Sequence, residues 1–164
     1  MTTNISTAHP TKFRLVFPFL PFLGENEKGD ALILYCSEVT LPDLSMEPDI
    51  IPNQMYDSKF ATKNLSYGDM EVVYTIDEKF TNYKLLFEWM MYLKDPERFE
   101  VRNEKIDASL MIYTNNDNPT FKFNLKSIFP INLSGINFSK KTADTEDMEN
   151  NVTFAMEYYL IEEV

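Results

Sequence analysis

The side chains that could carry chemistry are few and poorly placed for it. The sequence holds one histidine, His9, and one cysteine, Cys36. A histidine serves as general base, or activates a nucleophile, only when its imidazole is held rigidly against a partner. His9 sits in a polar N-terminal arm, residues 1–12, that nothing in the sequence ties down. Cys36 closes the apolar run Ala31-Leu-Ile-Leu-Tyr-Cys. A lone thiol there can form neither an internal disulfide nor a multi-thiolate metal site, and reads as buried and inert. The acids Asp144, Glu146, Asp147 and Glu149 could offer oxygen ligands to calcium. They lack the Asp-x-Asp-x-Asp-Gly spacing of an EF-hand and read as a solvated acidic loop. With four glycines in the chain there is no glycine-rich phosphate cradle, and no serine elbow or zinc spacing occurs. These residues point to no enzyme, no metal and no cofactor.

Composition says what kind of molecule remains. The chain has 164 residues, enough for one ordinary core, and its 44% hydrophobic content excludes wholesale disorder. The expectation is a single domain over 13–164. Its 26 acids against 15 bases give a net charge of −11, which repels nucleic acid and anionic membranes alike. The opening Met1-Thr-Thr-Asn-Ile-Ser-Thr lacks a signal-peptide pattern, and no apolar stretch is long enough to span a bilayer. The sequence therefore predicts a protein made and kept in cytosol that does not bind membranes by itself. Its 13 Phe and 9 Tyr suit half-buried strands and protein interfaces.

The elements that would position any site are mostly strands. Residues 13–23 read as an edge strand, interrupted by Pro18 and Pro21. The turn 24–30 would return the chain as a hairpin into a well-buried strand, 31–39. Met70, Val72, Tyr74 and Ile76 alternate with polar neighbours and predict a strand with one buried face. Thr81 reads as the N-cap of a helix over 82–94, with Phe80 and Leu85 as a hydrophobic staple. Leu85, Leu86, Trp89, Met90 and Leu93 form its core stripe, and it stops before Asp95-Pro96. Further strands are predicted over 106–113 and 120–127, joined by turn chemistry at 115–119. Residues 128–136 read as a short broken strand pair around Pro130 and Gly135. Val152, Phe154, Met156, Tyr158 and Leu160 predict one last strand. The sum is a mainly β fold, two packed antiparallel sheets (a sandwich or barrel) with one flanking α-helix.

Residues 41–61 are different in kind. Pro42, Pro48 and Pro52 accompany the acids Asp43, Glu47, Asp49 and Asp57, with no base before Lys59. The same stretch holds Leu44, Met46, Ile50, Ile51, Met55, Tyr56 and Phe60, which are costly to leave in water. A long loop of this apolar content packs on something, and another subunit is the first candidate.

Five features in order carry a family resemblance. They are the early strand from Phe13 to Phe19, the segment Tyr35-Cys-Ser-Glu-Val-Thr-Leu-Pro42 entering the proline-rich loop, and the strand from Glu71 to Asp77. The helix with Phe87-Glu-Trp89 follows, then Ile128-Phe-Pro-Ile-Asn-Leu-Ser-Gly-Ile136 ahead of a final strand with Tyr158-Tyr159. In this order the chain resembles the tail tube proteins of contractile-tailed, T4-like bacteriophages, and more distantly the type VI secretion tube protein. The resemblance implies rings of six subunits whose sheets join into one β-barrel around a lumen. It implies that rings stack through the long inter-ring loop 41–61, with Pro42, Leu44, Met46, Ile50, Ile51, Met55, Tyr56 and Phe60 as contact residues. The implied partners are further copies of the chain, the tail sheath and the baseplate, with DNA only as non-specifically conducted cargo. The implied location is the virion tail, assembled in the host cytoplasm. An acidic lumen would let DNA pass without gripping it, and Lys122 and Lys126 would face the sheath or a neighbouring subunit. Two other readings fit the residues. One is a tube-like baseplate or tail-end protein present as a single ring. The other is a monomeric small-ligand-binding β-barrel with an apolar cavity.

Overall fold

Period-two alternation of apolar side chains builds two four-stranded sheets. The computed structural model describes residues 12–18, 20, 35–94, 106–114, 116–139 and 147–163. Its strands are β1 (Phe13–Val16), β2 (Cys36–Thr40), β3 (Leu44–Met46), β4 (Asp49–Ile51), β5 (Ser58–Phe60), β6 (Leu65–Tyr67) and β7 (Met70–Thr75). After helix α1 (Thr81–Lys94) come β8 (Ala108–Tyr113), β9 (Pro119–Lys126), β10 (Phe129–Leu133), β11 (Glu149–Ala155) and β12 (Tyr158–Glu163). The first sheet runs β1-β8-β9-β12 and the second β10-β11-β7-β2, every pairing antiparallel. The expected N-terminal arm, with His9, lies outside the described residues apart from Lys12, as do the turn 24–30, residues 31–34 and the helix stop at Asp95-Pro96.

The core forms between the sheets. Leu15, Ala108, Leu110 and Leu125 from the first sheet face Met70, Val72, Tyr74, Val152 and Phe154 from the second. Leu86 and Trp89 of α1 complete it. Phe17 meets the Trp89 indole edge-on at 5.7 Å and the Phe154 ring at 5.5 Å. The two-sheet architecture and the flanking helix are as the sequence predicts, and of the helix stripe Leu86 and Trp89 are buried in the core with Leu85 and Leu93 packed against it.

The helix start is held differently from the prediction. Phe80, at φ 56°, accepts the first helical hydrogen bond from Lys84 N–H at 2.9 Å, and Thr81 is already inside the helix. The capping groups are Asp77, whose Oδ1 accepts Asn82 N–H at 3.0 Å, and Asn82, whose Oδ1 accepts Tyr83 N–H at 2.9 Å. Burial acts to raise the Asp77 carboxyl, but hydrogen bonds from Asn82 and Thr81 outweigh it and hold the group below its ordinary value. A carboxyl held low adds stability above its unfolded-state value, and loses it as pH falls through the folded value. As Asp77 is the capping group, Asp77→Ala is expected to lower the melting temperature modestly near neutral pH. Melting curves of the two proteins should converge in strong acid; a gap independent of pH would contradict the cap.

Four strand predictions change. The described parts of the expected hairpin do not pair with each other: β1 pairs with β8 in one sheet and β2 with β7 in the other. β2 is an edge strand and largely exposed, not well buried, because only β7 flanks it. Cys36 within it is half-buried, and loss of solvation pushes its thiol up to about 12. Almost no thiolate exists at pH 8, so iodoacetamide should label Cys36 slowly in the folded protein and rapidly after unfolding. Equal rates would show the thiol to be solvated. Residues 128–136 contain one strand, β10 (Phe129–Leu133), with a bulge between Pro130 and Asn132, not a strand pair. β10 is an edge strand, where a missing proline N–H costs little.

The last predicted strand is two strands in different sheets. The chain passes between the sheets twice at one corner, at Ser127–Ile128 and at Met156–Glu157. Asp107 braces this corner. Its Oδ2 accepts Lys126 Nζ at 2.6 Å and its Oδ1 accepts the N–H of Ser127, whose φ is 56°. Glu157 N–H donates to Lys126 O at 3.1 Å. The corner reverses which side chains point inward. Tyr159 pairs with buried Leu125, so Tyr158 and Leu160 turn outward.

Candidate assembly surface

The chain leaves the second sheet at the end of β2 and rejoins it at β7. Between these points four short strands pair two by two. β3 lies against β6, with Met46 opposite Leu65, and β4 against β5, with Ile50 opposite Lys59. The expected inter-ring loop is thus an ordered two-stranded arm, longer than 41–61, and its return strand runs to Tyr67. Pro48 interrupts the ladder between β3 and β4, and Pro52 ends β4, because neither can donate a ladder hydrogen bond.

Polar contacts hold the arm at its base, its break and its tip. At the base Gly68 N–H donates to Asp43 O at 3.0 Å, and Tyr67 meets Tyr159 of the first sheet edge-on at 5.3 Å. At the break Thr62 Oγ1 donates to Glu47 O at 2.6 Å. An open polar cleft of about 320 Å³ lies there, lined by Ser45, Glu47, Asp49, Thr62, Asn64 and Ser66. Near the tip Asn53 Nδ2 donates to Ser58 Oγ at 2.8 Å.

The apolar side chains of the arm face solvent. Met55 is 93% exposed, Tyr56 71%, Ile50 56% and Ile51 54%, and Leu44, Met46 and Phe60 are exposed as well. Ile50 and Ile51 are successive strand residues and so point to opposite faces of the ribbon. Both are exposed, and among the described residues no layer lies beneath the ribbon. Pro42 differs from the other expected contact residues in being buried within the subunit, where the chain leaves β2. Leu65 was missed. It is 48% exposed beside Met46, and the apolar alternation Leu65/Tyr67 just past the loop was its only signal.

This arrangement supports burial by a partner. A two-stranded ribbon is at best marginally stable alone in water, and this one exposes apolar side chains on both faces. Among the described residues no three His, Cys, Asp or Glu side chains gather as metal ligands, and no helix is long and apolar enough to cross a membrane. Of the acidic stretch, Asp144 and Glu146 lie outside the described residues, Asp147 is exposed and Glu149 opens β11.

No protein-family model matches the sequence, and no curated protein matches it significantly. Solved structures do match the fold. A chain of an extracellular contractile injection system, the PVC sheath–tube complex in its extended state, superposes with a TM-score of 0.71 at 13% identity, covering 98% of this chain and 95% of that one. The tube-terminating cap of the anti-feeding prophage gives 0.67 at 11% identity, over 99% and 97%. An Hcp protein gives 0.52 at 8% identity, over 93% and 98%. The chain therefore has the fold of contractile injection-system tube proteins and of Hcp. At these identities the likeness is one of fold.

Proposed function

We propose that this chain is a structural, non-catalytic tube subunit that forms rings and links one ring to the next through its 41–69 arm. The observation that carries the reading is the arm itself, an ordered ribbon with exposed apolar side chains on both faces and, among the described residues, nothing beneath it. The likeness to chains of a sheath–tube complex and a tube-terminating cap supports it. In its full form the reading is a tail tube subunit of a contractile phage, built into hexameric rings. Sheath and baseplate proteins are its partners, and its lumen conducts the genome during ejection. The net charge of −11 favours a wall that does not bind passing phosphates.

The second reading is a terminator present as a single ring, and the fit to the cap, nearly as good as that to the sheath–tube complex, favours it. The small-ligand barrel loses ground, because Trp89, Tyr74, Phe17 and Phe154 fill the space between the sheets. Electron microscopy of the concentrated protein separates the two ring readings. A tube subunit gives stacks that lengthen with concentration, whereas a terminator stops at isolated rings.

A further inference from the structure

The arm meets its own subunit at few points. Among the described residues, β3 to β6 pair only with one another and join neither four-stranded sheet. The chain enters the arm through Leu41, packed against the core, and buried Pro42, and leaves it through Gly68 and Asp69 into β7. The two ends lie side by side. Gly68 N–H donates to Asp43 O, and a methyl group at Gly68 would collide with the Asp43 carboxylate. This fixes where the arm is rooted, between the paired strands β2 and β7, while backbone rotations at 41–43 and 68–69 still set its tilt. Rings restrain that tilt. Tyr67 of β6 meets Tyr159 of β12 edge-on at 5.3 Å and 78°, and Tyr159 meets Phe123 of β9 edge-on at 6.0 Å and 69°. Phe123 and Tyr159 both pack against the core. The arm is thus rooted in the second sheet and propped against the first.

We propose that Tyr67 and Tyr159 are positioning residues for stacking: their ring contact holds the arm at the one tilt at which it meets the next ring. This rests on the reading of the arm given above and adds how the subunit presents it. In an edge-on pair the positive rim of one ring meets the negative face of the other, so the contact favours one orientation where an aliphatic pair would not. Tyr159 lies opposite Leu125, which makes Phe123 its diagonal neighbour on β9, close enough to limit how far the Tyr159 ring can turn. A fixed tilt matters for affinity. An arm free to swing is competent to dock for only a fraction of the time, and its apparent affinity falls by that fraction. Ordering it at the moment of docking costs conformational entropy as well. Loss of the prop therefore weakens stacking without removing any side chain from the contact surface.

Tilt and stacking can be read separately. Nitroxide labels at Met55→Cys, near the arm tip, and Lys84→Cys, on α1, report the distance from arm to body by pulsed electron paramagnetic resonance. The labels go into a Cys36→Ser background, and the protein is kept below its assembly concentration. The parent should give one narrow distance. Tyr67→Leu and Tyr159→Leu should each broaden it, and Tyr67→Phe should not. Combining the two Leu substitutions should broaden it no further than either alone, because both remove the same contact. In unlabelled protein each Leu variant should raise the concentration needed for stacking roughly three- to tenfold, with rings still forming, while Tyr67→Phe stacks like the parent. Tyr67 stands outside the core cluster, so Tyr67→Leu carries the test even where Tyr159→Leu fails to fold. A broad distance in the parent, or one in Tyr67→Leu as narrow as the parent's, overturns the prop. A broadened arm that stacks at the parent's concentration overturns its role in stacking. A parent with a narrow distance that never stacks speaks against the reading of the arm itself.

Discussion

Trp89→Ala is expected to lower stability by about 3–5 kcal/mol, the cost of truncating a fully buried aromatic in a close-packed core. Trp89 is completely buried, and its indole touches Phe17, just past β1, and, at 5.9 Å, Phe154 of β11, so it ties α1 to the space between the sheets. Its neighbours are strand and helix residues that cannot collapse into the space left behind. The melting temperature should fall by roughly 10 °C or more for a chain of this size. Trp89→Phe should cost much less, since it keeps ring contacts and removes a buried indole N–H that has no acceptor. A melting curve for Trp89→Ala within a few degrees of wild type would mean that the helix does not plug the core.

The second large effect falls on assembly and leaves the fold alone. Replacing Ile50 and Ile51 together by Asp should change the melting temperature by no more than about two degrees, because both side chains already face solvent. If each is buried against the next ring, its loss removes about 1.5–3 kcal/mol per side chain from every contact. Placing carboxylates there adds a desolvation cost. The concentration needed for stacking should rise roughly a hundredfold or more, leaving single rings. Tubes that grow as before would remove the arm from the stacking role.

The parts of this fold that were legible in the sequence are those fixed by local periodicity. β7 and β9 show clean alternation over six and eight residues, and α1 shows a helical stripe over three turns. Strands of three residues, such as β3 to β6, are too short to show a period. The arm therefore read as a loop, although its apolar residues stood out as costly to leave in water. The corner at Met156–Glu157 was invisible because alternation continues through it while the chain changes sheets. Pairing of β1 with β8 and of β2 with β7 depends on contacts far apart in sequence, which local turn chemistry cannot reveal. The Asp77 cap sits outside the Ser/Thr-first pattern that drew attention to Thr81, because Phe80 takes a left-handed conformation and shifts the helix start. Pro42 looked like its apolar neighbours in the loop, yet its place at the base puts it inside the subunit.

The central claim is that this chain is a ring-forming structural subunit, and its mass in solution tests that most directly. Sedimentation equilibrium or native mass spectrometry of the untagged protein at high concentration should show a species near 115 kDa, six copies of a 19.2-kDa chain, or multiples of it as rings stack. A single species of 19.2 kDa at all accessible concentrations would contradict the account.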